Sequence, residues 1–280
     1  MKTTLKKMIS FTVTALTVFG ASFGMMGNTA PVEEGEKRYY DVVLPATCSS
    51  AGDYETITFA RKEETYIETP NTVPYYFSPT LDNACGPVGG TIIVGYYDKY
   101  FENLIPDYTN YYPATGKYRP QNGDYICPVI EELYDLMQTN VVAPGVSEEE
   151  CLDGLQAYVE GQDYSISYST AKTLNGSFNH TAYQNAINNQ QPVLLFCESV
   201  ELLRLEPEET RDRNVVLQVS NNHIMVGFGY KTVKYYDAND NNFRTDTYLR
   251  VASGWNVNNR GYVRINSDSW LDTAYAVDIY

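Results

Sequence analysis

The stretch that decides the fold lies at residues 82–101 and reads DNACGPVGGTIIVGYYDKYF. Apolar residues recur every four positions from Val88 to Tyr100, which predicts a helix packed on a core. Gly89 and Gly90 fall in its first turns, where each glycine costs about 1 kcal/mol relative to alanine. We therefore expect another segment to approach this helix closely at the glycines.

Cys85 stands immediately before this predicted helix. The unpaired N–H groups and the positive dipole end of a helix favour an anion, so a thiol there loses its proton more readily. Attack on a carbonyl also requires a general base, and the chain holds two histidines. His180 precedes a short predicted helix, as capping or surface residues do, whereas His223 begins an apolar strand. Cys85 and His223 are therefore the candidate nucleophile and base. The alternative is that Cys85 is a buried structural cysteine and His223 a core histidine whose hydrogen bonds are satisfied.

Outside this stretch, helical patterns dominate the first half of the chain, and strand patterns dominate the last third. Residues 201–214 are highly charged and predict a surface loop. Helices followed by an antiparallel sheet predict an α+β fold. The predicted helices cover residues 128–138, 147–160 (opened by a capping box at Ser147 and Glu150) and 181–189. Strand-like alternation appears at residues 39–44 and 54–60, and the predicted strands of the main domain cover residues 164–170, 193–197, 223–236, 247–255 and 262–265.

Two motifs in this order resemble the C39-like cysteine peptidases, a branch of the papain superfamily. Asn-Ala-Cys-Gly-Pro at 83–87 resembles their nucleophile segment, and His-Ile-Met-Val-Gly-Phe-Gly-Tyr at 223–230 resembles their histidine strand. Residues 251–255 and 261–265 are similar to the closing strands of papain-like enzymes. The resemblance covers residues 71–280. It implies a papain-like α+β fold, with an N-terminal helical part whose nucleophile helix packs on a C-terminal antiparallel β-sheet. It also implies that Cys85 is the nucleophile and His223 the base.

The motifs depart from that family at two positions. A hairpin centred near residue 238 sets Ser253 opposite His223, where papain-like enzymes have an Asn or Asp that orients the imidazole. Asp237 is the alternative orienter, although this register puts it at the hairpin tip. Pro79 stands where those enzymes often carry a glutamine that donates to the oxyanion. Asn83 is the candidate that could donate to the oxyanion instead. An equally good interpretation is that Asn83 only forms a turn.

The N-terminus has the pattern of a secretory signal peptide. Three lysines within residues 1–7 precede an uncharged stretch that ends near Met26. We predict a signal peptide over residues 1–24, with cleavage possible up to residue 30, and hence a secreted, extracellular protein. Residues 31–70 form an N-terminal extension or propeptide, and residues 71–280 form the C39-like peptidase domain.

Charge and cysteine content exclude several classes of function. The formal net charge of −15 argues against a nucleic-acid partner and, after signal cleavage, against an anionic membrane surface. The five cysteines are widely spaced and two histidines cannot complete zinc-type ligand pairs, so we predict no metal and no cofactor. Cys127, Cys151 and Cys197 are predicted to be structural.

These observations predict an exported cysteine peptidase that hydrolyses peptide bonds of a peptide or protein substrate through a Cys85 acyl-thioester, with His223 as general base. Two alternatives remain open. One is a catalytically impaired papain-fold protein that binds peptides, which Ser253 at the orienter position favours. The other is a cell-wall amidase of the same superfamily.

Overall fold

The computed structural model describes residues 37–40, 54–68, 72–265 and 270–280, so the predicted signal peptide and Cys48 lie outside the described residues. The described helices are α1 (Cys85–Tyr97), α2 (Gly123–Leu136), α3 (Glu148–Gly161) and α4 (His180–Asn188). The described strands are β1 (Tyr39–Tyr40), β2 (Tyr54–Thr58), β3 (Arg61–Glu68), β4 (Tyr111–Tyr112), β5 (Lys117–Tyr118), β6 (Val146–Ser147), β7 (Ile166–Thr170), β8 (Val193–Pro207), β9 (Arg211–Tyr236), β10 (Asn242–Ala252), β11 (Arg260–Arg264) and β12 (Leu271–Ile279).

One antiparallel sheet dominates the described part of the chain. Its strands follow the order β2-β9-β10-β11-β8-β12-β7, and β3 also pairs with β9. Because β8 pairs with β9 as well as with β11, the pairings β9-β10-β11-β8-β9 form a closed circuit. Strand β9 is 26 residues long and pairs with four strands, so it joins nearly every part of the sheet.

The predicted fold class, a papain-like α+β fold with a helical N-terminal part, is wrong. The protein is β-rich: strand residues clearly outnumber helical ones, and β2 and β3 precede the first helix and pair with β9. Residues 201–214, predicted as a surface loop, lie in the hairpin that β8 and β9 form. Their charges obscured the burial of individual positions in this hairpin, such as Leu202, Leu203 and Asn214.

Helix α1 is buried along its whole length, as its apolar pattern predicts. A side chain at Gly89 would place its Cβ 3.3 Å from Cγ2 of Ile224 on β9. A side chain at Gly90 would come within 3.2 Å of the Leu133 side chain on α2. The two glycines thus allow the sheet and a second helix to approach α1 closely, and the approaching groups are side chains.

Local signals place the other helices within a few residues of their predicted positions. The predicted capping box at the start of α3 is confirmed, because Ser147 and Glu150 bond reciprocally to each other's backbone N–H groups. Helix α2 begins at Gly123, five residues before the predicted start at Pro128, since Asn122 caps it by accepting from the N–H of Asp124. None of the described helices is both long and apolar enough to cross a membrane.

A partly buried ion-pair network ties β2 to the closed circuit of strands. The carboxylate of Glu55 accepts from Arg244 Nη1 at 2.8 Å and Nη2 at 2.9 Å, and also from Arg264 Nη1. The hydrogen bonds from Arg244, together with both arginine charges, hold the pKa of Glu55 at about 2. Residues of the predicted N-terminal extension are therefore part of the sheet.

Glu55 should make the stability of the protein sensitive to acid. Its folded pKa lies below the unfolded value of about 4.3, so its contribution is complete above that value and is lost as the pH falls toward 2. Because 39% of the side chain is exposed, solvent screening limits the effect. We expect Glu55→Gln to lower the unfolding free energy by about 1–2 kcal/mol at pH 7 and by much less near pH 2.

Urea unfolding of both proteins across this pH range measures the difference. Glu201→Gln is the matched control, because Glu201 is exposed on β8. An equal loss of stability at pH 7 and near pH 2 would show that the Glu55 charge does not hold the network together.

Candidate active site

Cys85 begins α1 and lies on a cavity of about 460 Å³, which we call the thiol cavity. Its walls are formed by Ser78, residues 81–85, Val88 and residues 254–256. Only 2% of Cys85 is exposed, so the cavity provides the route by which a reactant reaches its thiol. The sequence-based placement of Cys85 at the start of a buried helix is confirmed.

The start of α1 offers its backbone dipole to this cavity without competition from a side-chain cap. Ala84 occupies the N-cap position, where it makes no side-chain hydrogen bond, and the first turn contains no acidic residue. Helix geometry leaves the first-turn N–H groups without intrahelical partners. Negative charge, whether on a thiolate or on an oxyanion, is therefore favoured at this position.

His223 lies on β9 and is completely buried. Its Nε2 is 2.7 Å from the backbone carbonyl oxygen of Ser253. Because a carbonyl only accepts hydrogen bonds, Nε2 must carry the proton of the neutral ring. Nδ1 then holds the lone pair, and this buried atom has no hydrogen-bond partner among the described residues. Burial lowers the pKa of His223 to about 4, and the hydrogen bond to Ser253 only partly offsets this.

Trp255 connects the imidazole to the thiol cavity. It lines that cavity, and its indole stacks on the ring of His223 with 4.5 Å between centroids and 15° between planes. Its Nε1 is also buried without a hydrogen-bond partner in the described part of the structure. Sequence reasoning missed this role of Trp255. The tryptophan two positions after Ser253 was the available signal.

Cys85 and His223 lie on two elements, α1 and β9, that pack against each other. Gly89, one turn beyond Cys85, packs on Ile224, the residue next to His223. Cys197 on β8 is the cross-strand partner of His223, and Cys85 lies near enough to Cys197 to contribute to the raised pKa of that thiol. Trp255 covers the imidazole.

Ser253 orients the imidazole, but through its backbone rather than its side chain. The Ser253 hydroxyl donates to the carbonyl of Asn258 and accepts from the N–H of Trp255 at 3.2 Å. The predicted pairing of residues 223 and 253 is wrong as a strand register, because Ala252 pairs with Val226 and ends β10. Two irregularities in the β9–β10 pairing shift the register, and such shifts cannot be counted from sequence.

The two remaining candidates have local structural roles. Asn83 lines the thiol cavity, but its amide Nδ2 donates to Oδ1 of Asn140 at 2.9 Å, and its φ of 55° is that of a turn residue. Asp237 is at the tip of the β9–β10 hairpin, as predicted, where it accepts from the N–H groups of Asn239 and Asn241 at 2.9 Å each. Asp237 therefore lies at the opposite end of the hairpin from His223.

The other described cysteines lie in environments that suppress ionisation. Cys151 and Cys197 are fully buried, and burial raises the pKa of both thiols, with a smaller contribution from nearby Cys85. Cys127 is partly exposed on α2, and burial is again the main reason that its pKa is raised. These surroundings suit the structural role that the sequence predicts for all three.

Comparisons with family models, curated proteins and solved structures find no match for this chain. The resemblance of the two motifs to C39-like cysteine peptidases therefore stays a hypothesis, and the site has to be interpreted from its own geometry.

His223 should titrate far below an ordinary histidine. We expect a midpoint near pH 4 in an NMR titration of the ring nitrogens, because the buried imidazole loses the hydration that stabilises its charged form. The unfolded chain binds this proton more tightly, with a pKa of about 6.5. The His223 contribution to stability is thus complete above about pH 6.5 and declines by up to about 1.4 kcal/mol per pH unit between pH 6.5 and 4. A midpoint near 6.5 would show that water reaches the ring.

Proposed function

We propose that the protein is an exported cysteine hydrolase of the peptidase type, with Cys85 as nucleophile and His223 as general base. One observation carries the proposal. A buried imidazole is held on the Ser253 carbonyl through Nε2, so that its Nδ1 lone pair is left to accept a proton. This imidazole contacts a wall residue of the cavity that contains a cysteine at the start of a helix.

The residues can divide the chemistry as follows. Nδ1 of His223 takes the proton from the Cys85 thiol, and the sulfur attacks the carbonyl carbon of the scissile peptide bond. First-turn N–H groups of α1 stabilise the oxyanion. The C–N bond then breaks, and the imidazolium returns its proton to the leaving amine. Water hydrolyses the resulting thioester with His223 again as the base, which releases the acid and restores the thiol.

The Ser253 carbonyl has a definite task in this cycle. It accepts from Nε2 in both protonation states of the ring, so it fixes the ring orientation and stabilises the imidazolium that forms transiently. A carbonyl dipole is weaker in this role than a carboxylate. The low pKa of His223 fits that weakness, and it favours a neutral thiol–imidazole pair over a thiolate–imidazolium pair before substrate binds.

Productive proton transfer needs Nδ1 within hydrogen-bonding reach of the Cys85 sulfur. Catalytic hydrogen bonds often tighten only when substrate binds. In this protein Trp255 covers the imidazole, so substrate entry into the thiol cavity has to be coupled to a shift of the Trp255 indole. Gly254, with a φ of 76°, is the backbone position next to it where the chain leaves strand geometry.

A second candidate function is peptide binding without hydrolysis. The burial of a neutral imidazole under Trp255 favours it. In that case the thiol cavity binds a peptide and the cysteine is a contact residue.

Substitution of the two central residues tests the hydrolase. Cys85→Ala should abolish turnover of a mixed peptide library, and His223→Ala should reduce it by about 10²- to 10⁴-fold. Ser253→Ala should cost less than about tenfold, because the orienting atom belongs to the backbone and remains in the variant. His180→Ala, at the start of α4, should retain nearly full activity. Product analysis by mass spectrometry measures each rate.

The outcomes separate the candidates. Unchanged turnover in Cys85→Ala contradicts the hydrolase. Peptide binding without turnover in the wild type identifies the binding protein. Turnover of peptidoglycan rather than peptides identifies the cell-wall amidase, which would use the same thiol chemistry on another acyl substrate.

Export is proposed from the basic and then uncharged N-terminal sequence. We expect the mature protein to begin between residues 25 and 31 when it is isolated from the medium of expressing cells. N-terminal sequencing measures this start. Recovery of the chain from the cytoplasm with Met1 intact would contradict export.

A further inference from the structure

A second cavity, of about 810 Å³, lies beside the thiol cavity, and we call it the basic cavity. Its walls are residues 72–75 and Phe77 of an extended segment, residues 116–121 (β5 and the loop that follows it), and Asn256, Asn259 and Arg260. Asn256 lines both cavities, so the two are neighbours across a single residue. A chain bound at Cys85 can therefore continue into the basic cavity.

The walls of the basic cavity are held together by a side chain that imitates strand pairing. Oε1 of Gln121 accepts from the backbone N–H of Phe77 at 2.9 Å, and Nε2 of Gln121 donates to the carbonyl of Phe77 at 3.0 Å. On the same loop, the N–H of Arg119 donates to the carbonyl of Asn110. These bonds fix the loop at 116–121 against the extended segment, so the cavity is formed before any ligand binds.

The charge of the basic cavity is opposite to that of the whole chain. Lys117, Arg119 and Arg260 line it, and its lining includes no aspartate or glutamate. The chain as a whole has a formal net charge of −15. Most of the described lysines and arginines form ion pairs with carboxylates, but none of these three does. Their charges are available to a ligand.

Aromatic rings position the two arginines. The Arg260 guanidinium carbon lies 5.2 Å from the centroid of the Tyr75 ring, and that of Arg119 lies 4.3 Å from the centroid of Tyr112. A ring stabilises a guanidinium through its π face and leaves the in-plane N–H groups to bind carboxylate oxygens. Nε of Arg119 is buried and has no hydrogen-bond partner among the described residues. A ligand that accepts from this N–H would satisfy it.

We propose that the basic cavity binds acidic side chains of a peptide whose scissile bond lies at Cys85. That the bound peptide is a substrate rests on the proposed function. That it is acidic rests on the positive charge of the cavity itself. Arg119 and Arg260 contact the carboxylates, while Tyr75 and Phe77 pack on the apolar parts of the peptide. Extended nucleic acids are disfavoured because the strongly acidic surface repels a polyanion.

Calorimetric titration of the Cys85→Ala protein tests the assignment without turnover. The probes are pairs of ten-residue peptides that are identical except that every glutamate in one is glutamine in the other. We expect the acidic member to bind about tenfold more tightly in 50 mM salt, and the difference to shrink at 300 mM salt because screening weakens exposed charge pairs. Equal affinities within each pair, or no measurable binding of the acidic peptides, would overturn the assignment.

Two double variants identify the cavity as the source of the preference. Arg119→Gln with Arg260→Gln should lose about tenfold in affinity for the acidic peptides. Lys234→Gln with Lys172→Gln removes the same charge away from the cavity and should bind normally. Arg119→Glu with Arg260→Glu should prefer lysine-containing peptides, a gain that a misfolded protein cannot show. Unchanged preference in both arginine variants would contradict the assignment.

The result is independent of the hydrolase proposal. Charge-dependent binding without wild-type turnover would retain the basic cavity and remove the hydrolase. Turnover that is indifferent to peptide charge would retain the hydrolase and remove the basic cavity as its specificity site.

Discussion

The contact between Gly89 of α1 and Ile224 of β9 is the constraint on which the site depends. With no side chain at Gly89, the second turn of α1 can pack closely on the Ile224 side chain, and this contact fixes α1, which begins at Cys85, relative to the neighbouring residue His223. Core packing tolerates little displacement, since interiors are packed as densely as organic crystals. The positions of Cys85 and His223 relative to each other are therefore set in part by a buried apolar contact between their elements.

The polar part of the site follows from burial. Removal of water from His223 disfavours its charged form, and the carbonyl of Ser253 determines which ring nitrogen carries the proton. The same end of β10 supplies that carbonyl and the indole that covers the ring, because the chain turns at Gly254 as soon as the strand ends. One short segment thus fixes the tautomer of His223 and connects its ring, through Trp255, to the thiol cavity.

Local signals in the sequence were sufficient for the start of α1 and for the capping box of α3, because both depend on residues within one turn of each other. They were not sufficient for features that depend on residues far apart in the chain. The strand register that brings Ser253 near His223 includes two irregularities, and no periodicity reveals where an extra residue is inserted. The hairpin of β8 and β9 was hidden because residues such as Asp212 are charged and yet buried. Asp212 is stabilised there by Lys62, which lies 150 positions away in the chain.

The Glu55 network also limits how the N-terminal extension can be processed. A protease that cut after β3 and released β2 would leave Arg264 without its carboxylate partner and Arg244 with Asp246 alone, and it would expose one edge of β9. An open strand edge invites association with other chains. Loss of β1 would also remove the buried side chain of Tyr40 from the core, so a cut that preserves the fold has to fall before Tyr39.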